Sequence, residues 1–287
     1  MKTFGYFASI LVLMFSCLIS AAGGAAADES TWEAIRTSKV MRIGAVPFEP
    51  WYQKETVASD KPGAVQSEGG AWRGTMPRLA ERLAKDMGVK LVIVETTWAN
   101  AVAALQANQI DVMLMLDPTP VRALAVDFIY PVLWNPYGLL VKDGMTGTNW
   151  SDFNKPEYKM ATLAGTATDE LAGRLLPKST IMRFQTTDEA LAAFQSGRVD
   201  AYVAGVAASD LIRAKLGRGK TILPKPAAAV PGGAAVRKEV DDRWRRYLQV
   251  AIEYYYNSNI TTGFYREFLE YRGVDPSTVI SVKREDW

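Results

Sequence analysis

Hydrophobic and polar residues follow two patterns that alternate along the chain. Short apolar runs rich in Val, Ile, Leu and Met are typical of buried strands, and runs with an apolar residue every three or four positions are typical of helices. In the first half we predict strands at 40–46, 90–95 and 110–116 and helices at 77–87 and 100–107. In the second half we predict strands at 158–163, 180–184 and 199–204 and helices at 169–176 and 188–196. This alternation favours mainly parallel sheets covered by helices.

The remaining segments join two such α/β units. Residues 53–70 are polar and rich in Gly, Ser and Ala, which indicates a loop or hairpin insertion. We predict strand-like crossings between the units at 139–154 and 224–231, and C-terminal helices at 244–256 and 263–271. Two units joined by more than one crossing predict a cleft between them. In open parallel sheets, ligands bind beyond the carboxyl ends of strands.

The N-terminal segment is typical of a secretory signal. Lys2 precedes a mostly apolar stretch from Phe4 to Ile19, and small residues follow up to Ala27. A retained membrane anchor and a lipoprotein processed at Cys17 are the alternatives, but the stretch is short for a membrane span and Phe15 suits a lipoprotein site poorly. We therefore predict a signal peptide at 1–27 and a mature periplasmic chain of about 260 residues, enough for one large domain or two modest ones.

The composition excludes much catalytic and metal chemistry. Cys17 is the only cysteine, and the chain has no histidine. Ser-His-Asp hydrolysis, Cys-His nucleophiles and the common zinc sites are therefore excluded, and we predict no metal and no cofactor. Removal of the signal with Lys2 lowers the formal net charge from +2 to +1, which gives no support for nucleic-acid binding.

One arginine is well placed to hold an anion. Arg122 ends the segment Asp117–Arg122, directly after the apolar run 112–116. A guanidinium can bind both oxygens of a carboxylate; the alternative is a surface arginine paired with Asp117 or Asp127. Because segments 48–51, 165–168 and 204–205 also follow predicted strands, we predict that Arg122 contacts a small anionic ligand in the cleft.

Several ordered motifs resemble family 3 of the bacterial extracellular solute-binding proteins, the polar amino-acid type. The Thr-Pro-Val-Arg segment at 119–122 is similar to the family's carboxylate clamp, and Gly-Arg-Val-Asp-Ala at 197–201 is a near-complete family signature. Further segments that match in order lie at 98–106, 109–112, 127–128, 130–131, 165–166 and 235–238. The resemblance covers nearly all of the mature sequence.

The resemblance implies a type II periplasmic-binding-protein fold with two lobes that close on a ligand. Lobe one would hold 28–138 and 230–287, and lobe two would hold 139–229. It also implies a monomer without enzymatic activity that captures a small carboxylate-bearing solute, an amino acid or a related organic acid, and delivers it to an inner-membrane ABC permease.

The resemblance also implies a set of ligand-binding residues. Aromatic walls would come from Phe48, Trp51 and Trp98, whose alternative is ordinary core packing. Arg122 would clamp the carboxylate, helped by Thr119. On the other lobe, Gly165, Thr166, Ala167 and Thr168 would offer backbone N–H groups at a helix start, together with their hydroxyls.

One departure from the family concerns the ligand's ammonium group. The family usually carries an aspartate that pairs with this ammonium, and Gly205 stands at that position. An unpaired buried charge is costly, so a replacement carboxylate is needed, with Asp117 the best candidate and Glu49 a weaker one. The alternative is a ligand that has no α-amino group.

Two other functions remain open. Some proteins of this fold are dehydratases that act on cyclohexadienyl acids, and Glu49 or Asp117 would have to supply the acid–base chemistry. Other relatives are periplasmic accessory proteins of quinoprotein dehydrogenases and do not feed a permease.

Overall fold

The computed structural model describes residues 29–56 and 62–286. The predicted signal peptide at 1–27 lies outside these residues. Within them, no helix combines the length and the apolar character needed to cross a membrane.

Strands and helices alternate through the described chain. The strands are β1 (Val40–Ala45), β2 (Gln53–Lys54), β3 (Val65–Ser67), β4 (Gly70–Arg73), β5 (Lys90–Glu95), β6 (Val112–Leu116), β7 (Val126–Val141), β8 (Lys159–Leu163), β9 (Thr180–Phe184), β10 (Ala201–Gly205), β11 (Lys220–Ile222) and β12 (Ala228–Arg237). The helices are α1 (Thr31–Ser38), α2 (Thr75–Met87), α3 (Ala101–Gln106), α4 (Pro120–Ala123), α5 (Trp150–Phe153), α6 (Ala167–Leu175), α7 (Thr187–Gln195), α8 (Val206–Leu216), α9 (Arg243–Asn257) and α10 (Ile260–Tyr271). Short 3-10 turns follow at Pro276–Thr278 and Arg284–Asp286.

The main sheet has parallel strands at both ends and antiparallel strands in the middle. Its order is β5-β1-β6-β12-β7-β10-β8-β9, and β11 also pairs with β7. Strands β5, β1 and β6 are parallel at one end, and β10, β8 and β9 are parallel at the other. Helices cover both units, as the alternating pattern predicts.

Strands β7 and β12 connect the two units. They pair antiparallel from Val126 opposite Arg237 to Tyr137 opposite Ala228, after which β7 continues against β10. The predicted first crossing at 139–154 is therefore wrong, because the chain has already passed between the units before residue 139. The return connection lies in β12, which overlaps the predicted crossing at 224–231.

Prolines explain why the sequence did not reveal the long strand β7. Pro131 and Pro136 both lie inside it, and proline usually indicates the end of a strand. The pairing of β7 with β12 shifts register between Gly232 and Ala234, close to Pro131. An irregularity of this kind accommodates a residue that has no N–H to donate.

Other predicted elements differ in smaller ways. Strands at 90–95 and 180–184 are confirmed residue for residue, and the insertion at 53–70 forms a small sheet of order β2-β4-β3. Helix α6 begins at Ala167, two residues before the predicted start, because the Thr166 side chain accepts a hydrogen bond from the Asp169 N–H and caps the helix. Helices α1 and α8 were not predicted.

The buried hydrophobic residues form separate clusters. One cluster draws on residues between 35 and 133 and between 234 and 282, with Ala207 and Leu211 from α8. Two further clusters draw on residues between 137 and 222. Helix α8 therefore packs against the first cluster although its neighbours in the chain belong to the second unit. The predicted lobe boundaries stay a prediction.

The aspartate of the 109–112 motif has a structural role. Asp111 is 2% exposed and accepts hydrogen bonds from Arg42, from its backbone N at 2.6 Å and from its Nε at 3.2 Å. This pair ties the start of β6 to β1, so the motif serves the fold and lies outside the cleft.

We expect Asp111→Ala to destabilise the protein strongly. The change leaves Arg42 without its carboxylate partner, and breaking a buried pair costs about 3–5 kcal/mol. Arg42 is 31% exposed, so we expect the lower part of this range and a fall in melting temperature of roughly 10 °C. The control is Glu68→Ala, which removes the solvated Glu68–Lys90 pair and should leave the melting temperature nearly unchanged. Equal melting temperatures for both variants would contradict this role.

Candidate functional site

A narrow crevice lies where the carboxyl ends of strands from both units meet. Its cavity volume is about 70 Å³. Of the predicted ligand-binding residues, those that line it are Phe48, Trp51, Trp98, Asp117, Arg122, Thr166, Thr168 and Gly205. Residues that sequence reasoning missed also line it, namely Met115, Asn135, Tyr137, Leu163, Tyr202 and Ala204.

Arg122 stands on the short helix α4 at one side of the crevice. The hydroxyl of Thr119 caps this helix by accepting a hydrogen bond from the Arg122 N–H at 3.3 Å. The guanidinium donates from Nη1 to the backbone oxygen of Asp117 at 3.1 Å. No salt bridge joins it to a carboxylate of the described residues, so the surface pairing with Asp117 or Asp127 is not formed. The remaining N–H groups of this half-buried cation are suitable donors for a ligand anion.

Asp117 presents a carboxyl group to the same crevice. Burial raises the pKa of Asp117 to about 6, against the opposing effects of the Tyr137 hydrogen bond and the Arg122 charge. The Tyr137 hydroxyl donates to Asp117 Oδ2 at 3.0 Å. Burial and this neighbouring carboxylate raise the pKa of Tyr137 well above its usual value. The crevice therefore holds a cation and a titratable acid that are not paired with each other.

The second unit contributes the start of helix α6. Gly165 has a φ of +69°, and its N–H donates to Asp169 Oδ2 at 3.2 Å. The Thr166 hydroxyl donates to the Leu163 carbonyl at 2.7 Å. Ala167 and Thr168 are the first helical residues, so their N–H groups have no partner within the helix. These two N–H groups are the ones that remain to bind a ligand from this side.

A shallower groove lies on the other side of Arg122. It is lined by Thr119, Gly165 and Ala167, together with Arg122 and Thr166. Thr119, Gly165 and Ala167 thus flank the crevice without lining it. Their contact with a ligand stays a prediction.

The aromatic residues differ in burial. Trp51 is 2% exposed and stacks on Tyr265 with ring centroids 5.9 Å apart, so it also belongs to the core. Phe48 and Trp98 are partly buried and meet edge to face at 6.3 Å. These two rings form an apolar wall of the crevice.

Glu49 lies outside the crevice. It lines a neighbouring groove, and its Oε2 pairs with Arg272 Nη2 at 3.0 Å. Asp117 is therefore the better placed of the two carboxylates considered as a replacement for the missing aspartate. Among residues 29–56 and 62–286, no group of three acidic side chains is arranged to hold a metal ion.

The Asn135 side chain fills the space next to Gly205. A Cβ added at Gly205 would lie 2.7 Å from Asn135 Nδ2 and 2.9 Å from its Cγ. Asn135 is 8% exposed, and its Oδ1 has no hydrogen-bond partner among the described residues. The sequence signal for Asn135 and Tyr137 is their polarity within the otherwise apolar run 132–141.

The two-lobed α/β fold with a polar crevice between its units is that of the type II periplasmic binding proteins. The sequence profile of the bacterial extracellular solute-binding proteins, family 3, matches residues 56–269. The chain belongs to this family.

Individual relatives share 27–30% sequence identity with parts of this chain. The chain is 30% identical over 105 residues to cyclohexadienyl dehydratase of Pseudomonas aeruginosa, a match that covers 36% of this chain and 35% of that protein. It is 27% identical over 182 residues to a probable amino-acid ABC transporter periplasmic-binding protein of Sinorhizobium fredii, covering 59% of this chain and 60% of the relative. The matches thus span about a third to three fifths of these relatives.

A solved structure resembles most of the chain. The crystal structure of an ancestral amino acid-binding protein, a precursor of cyclohexadienyl dehydratase, matches with a TM-score of 0.71 at 28% identity. The match covers 83% of this chain and 99% of that one. This chain is therefore similar in sequence to an enzyme and in structure to an amino acid-binding protein.

Proposed function

We propose that this protein captures an α-amino acid or a related small carboxylate in the cleft between its lobes and delivers it to an inner-membrane ABC permease. The observation that carries the proposal is the presence in one crevice of the Arg122 guanidinium and the Asp117 carboxyl group, which are not paired with each other. The relative of Sinorhizobium fredii is named for this role. The same proposal places the mature chain, a monomer, in the periplasm.

Each end of a zwitterionic ligand has a matching group. Arg122 binds the ligand carboxylate, and Asp117 accepts from the ligand ammonium. Phe48 and Trp98 cover the side chain, and the N–H groups that begin α6 bind the carboxylate from the second lobe. Because these contacts come from both lobes, a bound ligand favours the closed form, in which all of them are made together.

The dehydratase relative makes an enzyme the second candidate. Asp117, whose pKa is raised to about 6, has the character of a general acid or base. Incubation of the purified protein with prephenate or arogenate tests this candidate directly. Turnover would overturn the binding proposal.

An accessory role would instead be supported by stable co-purification with a quinoprotein dehydrogenase.

A thermal-shift screen of the mature protein tests the binding proposal. The panel holds amino acids, their N-acetyl forms and amine-free acids of the same skeleton. A ligand that binds the native state raises the melting temperature by mass action, by about 2.7 kcal/mol of stability at a hundredfold excess over Kd. We expect shifts with free amino acids and much smaller shifts with N-acetyl forms, which carry no ammonium. Equal shifts with amine-free acids would assign the site to carboxylates in general.

A further inference from the structure

Asn135 is a buried polar side chain whose bonding capacity is unused. It is 8% exposed, it lines the crevice, and its Oδ1 lacks a partner in the described part of the chain. Leaving a buried acceptor unsatisfied costs as much as losing a hydrogen bond. Oδ1 is itself enclosed beside Gly205, so a ligand donor in the crevice would satisfy it once the carboxamide turns about its Cβ–Cγ bond.

The position of Asn135 depends on Gly205. Strands β7 and β10 pair antiparallel, with Tyr137 opposite Gly205, and Asn135 lies two residues from Tyr137 on the same face of β7. Any side chain at Gly205 would collide with the Asn135 carboxamide. The site therefore holds either a side chain at 205 or the carboxamide of Asn135.

The crevice has a different charge with the Asn135 carboxamide than it would have with a carboxylate at position 205. Asp117 and Arg122 are the charged side chains among the described residues that line it. With Asp117 ionised, their charges cancel, which matches the zwitterionic end of an α-amino acid. The other described residues that line the crevice are uncharged, so a charged ligand side chain would find no further opposite charge among them, and an unpaired buried charge is costly.

We propose that the ligand is an α-amino acid with an uncharged side chain and that the Asn135 Oδ1 accepts a hydrogen bond from its ammonium group, together with Asp117. This inference rests on the proposed function of the cleft. It assigns to Asn135 a contact with the ligand ammonium, and it derives the uncharged side chain from the cancelling charges of Asp117 and Arg122.

Calorimetric titration with matched amino acids tests the ligand class. The pairs are glutamine with glutamate and methionine with lysine, each of similar length and different charge, and alanine and serine extend the series to smaller side chains. We expect the uncharged amino acids to bind at least about tenfold more tightly than the charged ones. Tighter binding of lysine or glutamate would overturn this inference and leave the proposed function intact. Absence of binding by every amino acid would overturn both.

Variants of Asn135 test its contact. Asn135→Leu keeps a similar volume and removes the acceptor, so we expect about a tenfold loss of affinity for the best uncharged amino acid. The affinity for the amine-free acid of the same skeleton should fall only slightly. Asn135→Asp places a second carboxylate beside the ligand ammonium, so amino acids should gain about tenfold relative to amine-free acids of the same skeleton. A purely structural role would weaken all ligands equally and is the contrary result.

A pair of substitutions distinguishes the loss of a ligand contact from the loss of folding. Gly205→Asp alone should abolish binding, because its side chain meets Asn135. Adding Asn135→Gly to it frees the space and should restore binding of amino acids but not of amine-free acids. Far-UV circular dichroism and the melting temperature show whether each variant is folded. A folded double variant that binds no amino acid would contradict the exchange.

Discussion

Replacing Arg122 by methionine should weaken ligand binding by about 100-fold or more, because removing one partner of a desolvated charge pair costs about 2–5 kcal/mol. Arg122 forms no salt bridge with a described carboxylate, so the variant breaks no ion pair of the protein, although it removes the charge that lowers the pKa of Asp117. The ligand carboxylate would enter a half-buried site that has lost its main donor.

Calorimetry on the mature protein measures this loss with the best ligand from the screen. Arg246→Met is a matched control, since Arg246 is exposed on α9 and pairs only locally with Asp242. We expect the control to bind as the unchanged protein does. Retention of most of the affinity by Arg122→Met would remove the guanidinium from the pocket.

Replacing Asp117 by asparagine should weaken binding of amino acids by about 10- to 100-fold and weaken amine-free acids far less. The ammonium would lose its only carboxylate among the described residues that line the crevice. The affinity for an amino acid should also depend on pH, in a direction set by the ionisation of Asp117. The pKa of Asp117 in the ligand-free protein is about 6, and the ionised form is the one that binds an ammonium.

Affinity of the unchanged protein for an amino acid should therefore be constant above neutral pH and fall below pH 6. By linkage the fall approaches about tenfold for each pH unit. The Asp117→Asn variant should show no such fall. An affinity of the unchanged protein that stays level from neutral pH to about pH 5 would contradict the assignment of the ammonium to Asp117.

The same substitution should stabilise the ligand-free protein. Because burial raises the pKa of Asp117 above its ordinary value, the native state binds more protons than the unfolded state between the two values. Stability is therefore lost as pH rises through that window. We expect Asp117→Asn to melt higher than the unchanged protein at neutral pH, with a difference that shrinks below pH 4. A lower melting temperature at neutral pH would show that the ionised carboxylate stabilises the ligand-free fold.

Local patterns in the sequence were sufficient for much of the fold. Strands β5 and β9 were predicted with their observed bounds, because each is a short β-rich run set off from a helix by turn residues. The position of Arg122 beyond β6 also followed from the chain, since an apolar run ends at Leu116, three positions before the clamp motif begins at Thr119.

The parts that the sequence did not reveal depend on contacts between distant segments. Strand β7 contains two prolines that are tolerated because of how β12 pairs with it. The sequence showed that Gly205 lacks the family's carboxylate, but not what replaces it. That answer required the register of β7 against β10, which brings Asn135 beside a glycine 70 positions away along the chain.

A crystal structure of the mature protein with the tightest ligand of the screen tests the central assignment most directly. We expect the ligand carboxylate on the Arg122 guanidinium, its ammonium within hydrogen-bond distance of Asp117 and Asn135 Oδ1, and its side chain against Phe48 and Trp98. A ligand bound elsewhere, or an Arg122 side chain turned to solvent beside an occupied cleft, would contradict the account.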